Sequence, residues 1–149
     1  MKSSLLIVTL ILTSALAMAQ AKSSAGMPKL VSTWGRTASG NLKPDQVIRL
    51  TDSSMNVRDD KGAALAVTGF RINYTFMSTY KDQESGELKT SKELRVYDFN
   101  DTTALSALWK ASISENVKAG DEILFNKITA RHKNGKKYFA PDLRFKVTE

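Results

Sequence analysis

From Gly69 the chain reads GFRINYTFM, in which Phe70, Ile72, Tyr74 and Phe76 alternate with Arg71, Asn73, Thr75 and Met77. Successive side chains of an extended strand point to opposite faces, so a period of two kept over eight residues commits this segment to a long strand with one face buried. A helix would scatter the same apolar residues around its circumference. A polar connection around Gly86, KDQESGELK, leads into KELRVYDF, Lys92 to Phe99, which reads as the next strand. The expected fold class is mainly β.

The C-terminal part supports this. Asn134-Gly135, inside ARHKNGKKY, is the strongest short hairpin signal in the chain, because both residues tolerate the positive φ of a type I′ turn. Folding about it places Lys133 opposite Lys136, His132 opposite Lys137, Arg131 opposite Tyr138 and Ala130 opposite Phe139. In that simple register Ile123 and Phe125 point away from the face that holds Ile128 and Ala130. One extra residue at Asn126-Lys127 restores the face and brings Phe125 to Leu143 and Ile123 to Phe145, so a β-bulge is expected there.

Between these strand pairs one short helix is expected. Asn100 or Asp101 supplies its cap, and Leu105, Leu108, Trp109, Ser112 and Ile113 form an apolar stripe at i, i+3, i+4, i+7 and i+8. Upstream, the apolar run Val47 to Leu50 and the residues before Asp59-Asp60-Lys61-Gly62 read as short strands joined by tight turns.

The N-terminus opens with Lys2 and the apolar run LLIVTLILTSALA, then small residues, the pattern of a cleavable secretory signal peptide over residues 1–19 with a mature start at Gln20. That run is shorter than the ~20 residues of a membrane span, so no transmembrane segment is expected after processing. Residues 20–46 are rich in Ser, Gly, Ala and Thr and read as a flexible leader docked by Trp34, with one folded domain over 47–149. The chain holds no cysteine, so an exported product must rely on its packed core alone. Its expected location is the periplasm or the exterior.

Chemistry is sparse. The single histidine, His132, lies in a charged turn, and no Gly-x-Ser-x-Gly elbow, phosphate-binding glycine loop or His-Glu-x-x-His motif occurs. Asp52, Asp59 and Asp60 lack the spacing of a calcium loop. No enzyme activity, metal or cofactor is expected. The formal charge of +7 permits attraction to acidic surfaces without naming one, and nucleic acid is not an expected partner. The candidate binding residues are Arg131, His132, Lys133, Lys136, Lys137 and Tyr138, with Arg131 stacked on Tyr138. Two readings of them stay open: a grip for an acidic partner, or a solvated hairpin end whose charges discourage edge aggregation.

The order of strands GFRINYTF and KELRVYDF, a short helix, and AGDEILFNKITARHKNGKKYFAPDLRFKV resembles the C-terminal domain of the GldM family of gliding-motility and type IX secretion proteins of Bacteroidetes. The matching motifs are Ala119-Gly120-Asp121, Asn134-Gly135 and Leu143-Arg144-Phe145-Lys146-Val147, and the resemblance covers roughly residues 47 to 148. It implies an immunoglobulin-like antiparallel β-sandwich in the bacterial envelope that works by protein contact. This chain departs from the family in having one domain behind a cleavable signal. The expected function is a small exported protein–protein interaction or adaptor module with an envelope protein as partner, or a homo-oligomer through open sheet edges. The alternative is a binder of small anionic ligands or lipid headgroups through the hairpin tip.

Overall fold

The computed structural model describes residues 26–149; the expected signal peptide lies outside them. The elements run β1 (Leu30–Trp34), β2 (Gly40–Leu42), α1 (Pro44–Leu50), β3 (Met55–Asp59), β4 (Ala64–Lys81), β5 (Leu88–Asn100), α2 (Ala107–Asn116), β6 (Glu122–Arg131), β7 (Lys137–Phe139) and β8 (Leu143–Val147). The protein is mainly β. Its strands form one mixed sheet in the order β1-β3-β4-β6-β8-β2, with β5 added to β4 and β7 to β6.

The alternating segment is the axis of the fold. β4 extends well beyond it in both directions, pairing with β3 at its start, with β6 over its middle and with β5 from Gly69 to Lys81. Phe70, Ile72, Tyr74 and Phe76 are all buried, as the period of two requires. The sheet curls so that β1 returns over β6 and β8: the Trp34 ring lies 4.9 Å from Phe125 and 5.6 Å from Phe145. Trp34, Tyr74, Phe125 and Phe145 are the largest side chains of this closed core.

The N-terminal third corrects three expectations. The stretch read as a flexible leader supplies β1 and β2, and Trp34 is a core residue at 1% exposure rather than a dock for a loose segment. β2 runs parallel to β8, so the sheet is mixed and not wholly antiparallel. Val47 to Leu50 is helical: Pro44 presets φ at the first turn, the Gln46 side chain accepts from Lys43 N–H at 2.8 Å, and Asp45 pairs with Arg49 one turn on. Those start signals outweigh the apolar run, and the described residues therefore hold two helices where one is expected.

The second helix starts later than expected. Its cap is Ser106, whose Oγ accepts from Trp109 N–H, whereas Asn100 ends β5 and Asp101 turns the chain at φ 54°. Leu105 is buried ahead of the helix, and within it Ile113 is buried while Leu108 is left 78% exposed, so the expected stripe is only partly used.

The face changes where the alternation places the change, but the expected one-residue bulge does not form against β7 and β8: Thr129–Phe139 and Phe125–Leu143 belong to one continuous register. Ile123, Phe125, Ile128 and Ala130 are all buried although the parity changes between Phe125 and Ile128. Lys127 has φ 48°, and the β4–β6 register shifts across this point. The pairs Phe125–Leu143 and Ile123–Phe145 form, but the shift of one residue that brings them together comes from the hairpin tip and not from an extra residue in β6.

Candidate functional site

The hairpin tip differs from its expected geometry by one residue. His132 N–H donates to Lys136 O at 2.9 Å and Gly135 N–H to His132 O at 2.9 Å, so the loop holds Lys133, Asn134 and Gly135. Only Gly135 takes a positive φ, at 84°. A three-residue loop with glycine in the left-handed region replaces the two-residue type I′ turn. Asn134 makes this possible: its Oδ1 accepts from Lys136 N–H and its own N–H donates to His132 Nδ1.

One residue of slip moves every pair. Arg131 faces Lys137, Ala130 faces Tyr138 and Thr129 faces Phe139. Arg131 and Tyr138 consequently point to opposite faces, and the expected stack between them does not form. Tyr138 packs against the core instead. Phe139, expected opposite Ala130 on the apolar face, is 76% exposed beside Lys137. The apparent apolar run Tyr138-Phe139-Ala140 hides this, since period alone does not say which of two aromatic neighbours turns inward.

Of the six candidate residues, Arg131, Lys133, Lys136 and Lys137 are exposed and make no ion pair among the described residues. His132 and Tyr138 line a shallow cleft with Asn134, Asp59, Asp60 and Lys61. The acids of the β3–β4 turn thus stand beside the basic tip, a neighbour that sequence distance conceals. Asp59 is occupied in its own turn, its Oδ1 accepting from Lys61 N–H at 3.0 Å and Ala63 N–H at 2.8 Å. Among the described residues no three His, Asp or Glu side chains converge as a metal site, and no helix is long and apolar enough to cross a membrane.

A second surface was not singled out in the sequence. β5 pairs with β4 through all its length and with no other described strand. Of its residues only Phe99 is buried and Ser91 half-buried; the rest are exposed. The direction of its backbone groups follows from the two ends of the ladder. Asp82 N–H donates to Glu87 O and Asp101 N–H to Thr68 O, both at 2.8 Å, with unbroken register between. Hydrogen-bonded pairs alternate along an antiparallel ladder, so odd-numbered β5 residues bond to β4 and even-numbered ones, from Leu88 to Asn100, point their N–H and C=O outward.

The side chains of this edge are mixed in character. Leu94 is 60% exposed and Val96 is exposed on the outer face. On the other face the Arg95 guanidinium lies 4.8 Å from the centre of the Phe76 ring and donates to Ser112 Oγ of α2 at 2.8 Å, and Ser78 Oγ bonds to Glu93. Arg95, Leu108, Trp109 and Ser112 line a small apolar cleft there. Neither Glu93 nor Arg95 has an ion-pair partner among the described residues, in contrast to Asp98, whose carboxylate is held by both forks of Arg71 at 2.6 and 2.7 Å.

The chain matches no family model and no curated protein. Among the described residues, fold and surface together define a mainly β protein with two helices, a closed aromatic core, a basic hairpin tip and a long open strand edge.

Proposed function

We propose that this chain is a small exported protein-interaction module of the bacterial envelope, non-catalytic, whose partner adds a strand to the free edge of β5. The observation that carries this reading is the run of outward-pointing backbone groups on β5, bounded by exposed Leu94 and Val96. Sheet edges are ordinarily kept short, bulged, covered or loaded with charge, because an open one recruits another chain, and β5 carries charge at Lys89, Lys92, Glu93, Arg95 and Asp98. Here the strand is thirteen residues long and its ladder is regular. Strand addition supplies affinity through main-chain hydrogen bonds, and side chains on alternate positions supply selectivity.

A tie to the GldM family, and through it to gliding motility or type IX secretion, rests on residues with structural duties. Gly120 and Gly135 hold positive φ, Asp121 is buried, and Leu143, Phe145 and Val147 fill the core. Residues of this kind report fold similarity and carry a function only by analogy.

Crosslinked capture from the native envelope tests the main reading. The exported wild-type chain is expected to retain a polypeptide that the Leu94→Pro variant loses, since proline there removes an outward N–H without touching the ladder to β4. Equal capture by both variants would place the contact elsewhere.

A second reading is favoured by the four unpaired cations of the tip: Arg131, Lys133, Lys136 and Lys137 bind small anions or acidic headgroups. It expects salt-sensitive binding to acidic vesicles that disappears when the three lysines become serine.

A further inference from the structure

We propose that the polypeptide received by the β5 edge is a second copy of this chain, paired antiparallel about a two-fold axis through Leu94. The inference rests on the edge reading above and names its partner.

Backbone geometry limits the possible registers first. The outward-pointing groups belong to even-numbered residues, so a second β5 can hydrogen-bond only when even faces even. In such registers each residue keeps its own face, and the two sheets continue into one another. An axis through Leu94 also lies midway between Leu88 and Asn100, the ends of the strand, and so pairs the whole of β5 with its copy. A two-fold interface of this kind is self-complementary by construction.

Charge then selects among the registers. With the axis at Leu94, Glu93 faces Arg95 of the second copy and Arg95 faces its Glu93, while the two Leu94 side chains meet on the axis. Lys92 faces Val96, and Thr90 faces Asp98. No like charges oppose one another. Moving the axis to Lys92, Glu93 or Arg95 places that residue against itself, which is destabilising. An axis at Val96 sets Leu94 against Asp98 and forms no ion pair. An axis at Ser91 makes Lys89–Glu93 pairs, but it leaves Arg95 to Asn100 unpaired and draws on a lysine already bonded to Asp82. Neither of the two side chains that the Leu94 axis joins, Glu93 and Arg95, has an ion-pair partner among the described residues; Lys92 has none either, and the axis sets it against Val96.

The experiment combines sedimentation with cysteine crosslinking, and the absence of native cysteine makes the second part clean. The exported wild-type chain should sediment as a dimer. Glu93→Arg or Arg95→Glu alone should weaken the dimer at least about tenfold, because two opposed ion pairs become two like-charge pairs. The double variant E93R/R95E should restore it. On mild oxidation Leu94→Cys should form a disulfide-linked dimer, since a hydrogen-bonded antiparallel pair sets the Cα atoms about 5.5 Å apart, within disulfide reach. Val96→Cys should sediment as a dimer but form no disulfide under the same treatment, because residue 96 faces residue 92.

A monomeric wild type, a double variant that fails to restore the dimer while both single variants remain folded, or crosslinking by Val96→Cys as strong as by Leu94→Cys would overturn the proposal. The two levels separate cleanly. A monomeric chain that still captures a different envelope protein through Leu94 removes the second copy and leaves the edge reading standing. A dimer with the Leu94 crosslink supports the proposal whether or not any other protein is captured.

Discussion

The Tyr74 hydroxyl donates a 2.8 Å hydrogen bond to Oδ2 of Asp121, and neither side chain reaches solvent. The same oxygen accepts from Lys118 N–H at 3.0 Å, and Asp121 O accepts from Val147 N–H at 2.8 Å. Asp121 therefore ties the centre of β4 to the turn before β6 through its buried carboxylate, and the end of β8 to that turn through its backbone carbonyl. Its Oδ1 has no partner among the described residues, which makes the bonds to Oδ2 matter more.

Tyr74→Phe keeps the ring and removes the strongest of those bonds. The expected cost is roughly 1–3 kcal/mol, the range for leaving a buried acceptor short of a donor. Chemical denaturation should show a lower midpoint at unchanged slope. A variant as stable as the wild type would mean that solvent replaces the hydroxyl.

The same pair sets a pH dependence. Burial, and then the bond to Asp121, push the Tyr74 hydroxyl above the ordinary tyrosine range. The folded state favours the protonated form, so this share of stability is whole below about pH 10 and declines as pH rises from there towards the raised folded value. Lysine titration affects wild type and Tyr74→Phe alike. The difference between their melting temperatures should therefore narrow above about pH 10.

Gly69 sits between two register shifts of β4 against β6, where the backbone runs close to β5. A Cβ at this position would lie 2.7 Å from Phe99 O, a backbone atom of the paired strand. Gly69→Ala should cost about 1–3 kcal/mol, as other forced overpacking does. Thermal melting compared with Gly26→Ala, whose Cβ meets nothing and whose φ is not in the left-handed region, separates crowding from the loss of glycine alone.

Proline substitution reads the direction of each β5 amide. Leu94→Pro removes an outward N–H, whereas Glu93→Pro removes a ladder bond to β4. The first should leave the melting temperature nearly unchanged in the unpaired chain. The second should cost at least about 1 kcal/mol for the lost bond.

Arg71 holds the Asp98 carboxyl below the usual carboxylate range through its forked hydrogen bond and its charge. An NMR titration should find the Asp98 midpoint below about 3.9, rising towards that value in Arg71→Gln. The depressed value stabilises the fold above the unfolded midpoint, and this is lost as pH falls through the folded one. Both groups are solvated, so the effect on overall stability should be small.

Legibility in the sequence followed how local the deciding interaction is. The β4 strand was plain because Phe70 to Met77 alternate without a break, and the change of face in β6 was plain because Phe125 and Ile128 are apolar at opposite parity. The extra residue expected there is absent because the three-residue tip already shifts the register by one. The hairpin register was not plain, since Asn134 and Gly135 fit both a two-residue and a three-residue loop, and the choice turns on Asn134 and His132 side-chain bonds to the loop backbone. β1 was missed because Leu30, Ser32 and Trp34 alternate over only five residues, and what they bury against, Phe125 and Phe145, lies some ninety or more residues away. The β5 edge was legible as a strand but not as an edge. Exposure on both faces is a property of where the sheet ends, and nothing within KELRVYDF records which strands stand beside it.

Amide hydrogen exchange along β5 tests the central claim most directly. In the dilute, unpaired chain the odd-numbered amides such as Glu93, Arg95 and Tyr97 should be protected by β4, and the even-numbered amides Leu94 and Val96 should exchange freely. When the edge is occupied, Leu94 and Val96 should become protected as well. If an assembled species forms while those two amides still exchange at the unprotected rate, the partner binds elsewhere and the account of the β5 edge is wrong.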